Sequence, residues 1–168
     1  MKLITFLPGF SSHQPQVTLG LSDNWRQIAL LVAANMFVGG MIGMERTILP
    51  GLAEAEFGIM SKTAVVSFIA TFGLAKAGSN LLVGPIAQRF TRRRILIAGW
   101  MIGIPVPLLL IWAPAWGWII GANLLLGVNQ GLAWSMTVNM KIDLAGPRWR
   151  GLVLGFNESA GYLSLAVM

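Results

Sequence analysis

The chain has 168 residues, of which 55% are apolar and only 11% charged, with a net charge of +6 and no cysteine. Soluble domains carry roughly 25% charged residues, so this composition, with a mean hydropathy of +0.71, excludes an ordinary soluble domain and points to an integral membrane protein. The missing cysteines exclude disulfides and thiolate metal sites, and the basic residues are too few and too clustered between apolar runs for a nucleic-acid surface.

The chain opens on "MKLITFLPGF", whose short apolar run is broken by Pro8 and Gly9. A secretory signal needs a longer uninterrupted core, so residues 1–24 read as a flexible cytoplasmic tail. His13, the single histidine, gives no basis for a metal site. Residues 25–168 then read as one transmembrane bundle with spans near 27–50, 63–86, 95–113, 116–142 and 151–168. Each approaches the roughly 20 residues that cross about 30 Å of hydrocarbon. In lipid every backbone polar group must be satisfied within a helix or a closed barrel, and the alternating ten-residue pattern of a barrel is absent. The fold class is therefore an all-α membrane protein of about five transmembrane helices. The first span runs to Pro50, and Pro105 with Pro107 predicts a kink in the third. Gly39, Gly40 and Gly43, and the pair Gly127 and Gly131, suit close packing between membrane helices.

Charge orients the bundle. Arg89, Arg92, Arg93 and Arg94 lie between the second and third spans, and Arg148 and Arg150 between the fourth and fifth, with Lys141 at the edge of that loop. The other connections hold Lys62 against Glu54 and Glu56, or no charge at all in "APAWG". The positive-inside rule puts both arginine loops, and with them the N-terminus, in the cytoplasm. Taken alone, the arginines are a topogenic anchor.

Their spacing adds a second layer. "GPIAQRFTRR" resembles the loop between the second and third spans of the major facilitator superfamily, Gly-x-Leu-Ala-Asp-Arg-x-Gly-Arg-Arg. Gly84, Ala87, Arg89, Arg92 and Arg93 match, Ile86 stands for Leu, Gln88 for the acidic residue and Thr91 for the second glycine. "TILPGLAEAEFG" is similar to the family's first-span end. "LLGVNQGLAW" is similar to its fourth-span Arg-x-x-Gln-Gly, with Gln130 and Gly131 matching and Gly127 in the arginine's place. "MKIDLAGPRWRGLVLGFNESAGY" is similar to its fourth-to-fifth loop. The resemblance implies two six-helix halves rocking about a midplane site, so the chain is expected to be an N-terminal portion that lacks the rest of its first half and the whole C-terminal half. It implies that Gly84 lets helix ends approach closely. It also implies a latch to the other half, weakened here because Gln88 cannot make the charge-assisted bond of a carboxylate.

Ionisable groups inside spans are costly and are functional candidates. Lys76 lies eight residues before Gly84, roughly 12 Å inward, with Asn80 one turn on. Glu158, beside Asn157, lies seven residues past Gly151, roughly 10 Å inward from the same surface. Their depths predict a Lys76–Glu158 interaction across the second and fifth spans. Glu45 and Arg46 sit late in the first span and, as neighbours, point about 100° apart rather than at each other. Asn123, Gln130 and Thr137 repeat every seven residues on the fourth span, a polar face for interhelical hydrogen bonds or for the cavity, with Trp134 beside it as a stacking candidate.

No catalytic constellation is present, and neither a cofactor nor an enzyme activity is expected. The reading is a secondary transporter of the cytoplasmic membrane, moving a small solute by alternating access. Its expected partners are the lipid bilayer, the small-molecule substrate, protons as coupling ion and the other half of the transporter, with no nucleic acid. The alternatives are a uniporter without proton coupling and a non-transporting helical subunit or anchor.

Overall fold

The computed structural model describes residues 19–168. Residues 1–18, which hold "MKLITFLPGF", His13 and most of the expected tail, lie outside the described residues. Every regular element among the described residues is a helix: α1 Trp25–Ala55, α2 Lys62–Arg89, α3 Arg92–Gly103, α4 Pro105–Ile111, α5 Trp116–Ala145 and α6 Arg150–Val167. The first helix runs past Pro50, which the sequence reading took as its end. A proline inside a membrane helix is tolerated because neighbouring groups re-satisfy the freed carbonyl. The third span divides at Ile104, which keeps helical dihedrals of φ −54° and ψ −46°. The break comes from Pro105 and Pro107, which have no N–H to donate.

At the centre of the bundle stands α5. It places Ala122 and Leu126 against Ile42, Phe72 and Val106, and Ile119 against Leu49 and Phe68. Further along, Met136 meets Val83 and Ile95, and Ala145 meets Ile28 and Val153. Small residues bring the partners in. A Cβ on Gly127 would stand 2.5 Å from the Phe72 carbonyl oxygen of α2, and one on Gly43 would stand 2.5 Å from that of Leu165 in α6. One on Gly103 of α3 would stand 2.7 Å from Asn129 Nδ2. Gly39 likewise abuts Gly161. The expected packing role of these glycines holds. For Gly84 it does not: a Cβ there meets nothing within 4 Å among the described residues, because α2 has passed the end of α5's small-residue seam by that point.

Two ends of the bundle can be told apart. At one, Trp116 Nε1 donates to Ala64 O and Ser67 Oγ at 3.1 and 3.2 Å, and its ring stacks edgewise on Phe57 and Phe68. At the other, Arg92 Nη1 donates to Asn139 O at 2.9 Å and pairs with Asp143. Residues 19–24 belong to this second end and are not a free tail. Gly20 N–H and Asn24 Nδ2 both donate to Leu144 O, at 3.0 and 3.2 Å, because the last carbonyls of α5 need donors. The two arginine loops and the start of α1 therefore share one face. Exposed Trp25 and Trp149 rim that end and Trp112 and Trp118 the other, as aromatic belts do at bilayer surfaces.

Three stretches, Trp25–Ala55, Lys62–Arg89 and Arg92–Ile111, are long and apolar enough to cross a membrane by length and composition. The other two helices fall outside that class because they carry the polar interior: Asn123, Asn129, Gln130, Thr137 and Lys141 on α5 and Asn157 on α6 are all buried.

Candidate functional site

The polar residues of α2, α5 and α6 form one connected line through the bundle. Lys76 of α2 points its ammonium at the face of Trp134, 4.7 Å from the ring centroid, with the Phe72 ring 5.9 Å away. Trp134 Nε1 donates to Glu158 Oε1 at 3.2 Å, and Asn157 Nδ2 donates to the same oxygen at 2.7 Å. Asn157 Oδ1 in turn accepts from Lys141 Nζ, which also donates to Leu31 O of α1 at 3.1 Å. Asn35 of α1 closes the line by donating to Asn157 O at 3.0 Å.

Lys76 and Glu158 are thus brought together, but the expected direct contact is not made. The Trp134 indole stands between them, giving its π face to the cation and its N–H to the carboxylate. Depth along two helices could place the charges at one level, and only lateral packing could place a tryptophan between them. Gly161 makes room for that ring, since a Cβ there would stand 2.5 Å from Trp134 Cη2. Tyr162 adds a third ring, its centroid 5.9 Å from that of Trp134.

Lys141 is the residue that sequence reasoning misplaced. It was assigned to the rim of the arginine loop, yet its side chain is 1% exposed. The helix runs on to Ala145, so Lys141 lies a full turn inside and turns toward α1 and α6. The signal in the sequence was the Asn157–Glu158 pair, whose depth matches it on the adjoining helix.

Of the remaining candidates, Glu45, Arg46 and Asn123 line one small cavity between α1, α2 and α5. Gln130 Nε2 donates to Val38 O at 2.7 Å, tying α5 to α1. Asn123 Nδ2 and Thr137 Oγ1 bond to carbonyls of their own helix, Ile119 and Trp134, at 3.1 and 2.9 Å. All three are buried, so of the proposed polar face on α5 only Trp134 reaches an open surface. Asn80 is exposed and accepts from Ser135 Oγ at 3.1 Å. Glu45 lines a groove of about 320 Å³ between α1 and α4, with Met41, Leu49, Val106 and Pro107. Arg46 does not pair with it; the only ion pair among the described residues is Arg92 with Asp143. In the arginine loop, Thr91 caps α3 by accepting from Arg94 N at 3.4 Å. Ala87 packs on the Val83–Ile95–Met136 cluster, while Gln88, Arg89 and Arg93 face outward.

The fold is a polytopic helical bundle with a charged line through its interior. The family model of the Major Facilitator Superfamily matches residues 28–168, and the chain belongs to that family, a transporter of the major facilitator kind. No curated protein matches the chain, and no solved structure does.

Proposed function

We propose that this chain supplies the N-terminal part of a secondary active transporter that moves a small solute across the cytoplasmic membrane by alternating access, coupled to protons. The observation that carries the reading is the line Lys76, Trp134, Glu158, Asn157, Lys141. It crosses from α2 through α5 to α6 and α1, so any relative movement of these helices must remake its bonds. A charge within a span costs about 2.5–3.5 kcal/mol unless it is compensated, and three such charges on neighbouring helices are explained by work done on them. Glu158 is the proton site in this reading. Asp143 is engaged by Arg92 at the bundle's end, and Glu45 faces the α1–α4 groove. The arginine loops and the N-terminus face the cytoplasm, and Gly84 and Gln88, open among the described residues, face the second half of the transporter.

The test is flux in proteoliposomes of the full-length protein loaded with a pH-reporting dye. Solute addition should acidify the lumen. Glu158→Gln should abolish the acidification while leaving downhill solute exchange intact. Acidification by Glu158→Gln at the wild-type rate would remove Glu158 from the coupling step, and solute flux without any acidification in the wild type would make the protein a uniporter.

A further inference from the structure

The open side of the charged line has a definite chemistry. Lys76 contributes an ammonium that, among the described residues, is held by ring faces and by no hydrogen bond or ion pair: Nζ stands over Trp134 and Phe72. A ring face neutralises part of a cation's charge, but it leaves N–H donors that an ammonium normally satisfies with oxygen. Arg46 and Glu45 of α1 line one small cavity with Phe72 of α2. Glu158 has donors of its own: its Oε1 accepts from both Trp134 and Asn157. Lys141 is spent on Leu31 O and Asn157 Oδ1, and Arg46 has the Glu45 carboxylate beside it in the same cavity. Lys76 is therefore the cation on this face with donors to offer.

Beside it lies an aromatic wall. Trp134 is half-buried, and Tyr162, tilted by 60° against it, is 60% exposed. Aromatic walls also suit cationic ligands, but here Lys76 already stands over the Trp134 ring and its ammonium repels a second cation. An anion has the opposite fit. It gains unspent donors from Lys76, and a flat apolar body gains the Tyr162 ring and the edge of Trp134.

We propose that the solute is a small aromatic monoanion, its carboxylate on Lys76 Nζ and its ring against Tyr162 and Trp134. This rests on the transport reading above and names its substrate class. Lys76 is then a substrate-binding residue, and Trp134 the element through which an occupied Lys76 is felt at Glu158. Drawing the ammonium toward a carboxylate weakens its hold on the indole face, and the indole N–H is the group that Glu158 accepts.

The experiment uses the full-length protein in lipid nanodiscs and measures radiolabelled benzoate and 1-naphthoate by equilibrium dialysis, with benzylamine and benzyl alcohol as competitors. Saturable binding of at least one carboxylate is expected, displaced by the other carboxylate and not by benzylamine. Loss of a charge-assisted hydrogen bond predicts a roughly 10- to 100-fold weaker affinity for Lys76→Gln. Lys76→Arg should stay within about threefold of the wild type, because it keeps the charge and the donors. That rescue separates a binding role from a folding defect. Competition by benzylamine as strong as that by the carboxylates, unchanged affinity in Lys76→Gln, or no saturable binding of either carboxylate would each overturn the proposal. Proteoliposome flux of a neutral or cationic solute without carboxylate binding would sink this inference and leave the transport reading standing. Carboxylate binding with no flux of any solute would do the reverse.

Discussion

Replacing Gly127 by alanine should loosen the seam on which the charged line depends. Its Cβ would stand 2.5 Å from Phe72 O, 2.7 Å from Ala75 Cβ and 3.1 Å from Lys76 N, whereas ordinary contact begins near 3.4 Å. Two of these three atoms are backbone and cannot swing aside, so α2 must retreat from α5 by roughly 1 Å. Forcing a methyl into a packed seam costs about 1–3 kcal/mol, and the better helix propensity of alanine returns about 0.5–1 kcal/mol. A net loss of up to about 2.5 kcal/mol follows, or a fall in melting temperature of up to about 10 °C. Gly121 provides the control on the same helix, because a Cβ there meets nothing within 4 Å. Gly121→Ala should leave the melting temperature unchanged or raise it. Thermal unfolding of the three proteins in one detergent, followed by tryptophan emission, makes the comparison. The retreat also carries Lys76 away from Trp134, so Gly127→Ala should weaken solute binding even below its melting point. Equal stability of Gly127→Ala and Gly121→Ala would refute the close α2–α5 seam.

Two further outcomes can be read independently of substrate. Reporter fusions at Arg92 and Arg148 should read cytoplasmic and fusions near Ala55 and Ala115 external; an external reading at Arg92 would reverse the proposed orientation. Gln88→Asp in the full-length protein should strengthen the latch between halves and raise labelling from outside, and unchanged labelling at normal expression would mean that no matching charge faces this loop.

Much of the fold was legible because a bilayer imposes a single rule on backbone and length. Apolar runs located the helices, and glycines at three- and four-residue spacing located the seams of α1 against α6 and of α5 against α2. What stayed hidden depends on which helices are neighbours. Lys141 lies close in sequence to the arginine loop and shares its charge, so only the inward turn toward Leu31 and Asn157 separates it from a topogenic residue. Trp134 looks like packing until Lys76 and Glu158 are found on its two sides. Residues 19–24 carry no periodic pattern, and their order comes from Leu144 O, a carbonyl more than a hundred positions away.

The centrality of α5 has a consequence for how the protein is made. This helix holds Asn123, Asn129, Gln130 and Lys141, all buried, and their bonds run to Gly99, Val38, Leu31 and Asn157 as well as to α5 itself. Most of those acceptors lie on helices synthesised earlier. A segment this polar partitions poorly into hydrocarbon by itself, so the earlier helices act as its solvent during insertion. Lys141 finds its Asn157 acceptor only once α6 has been made.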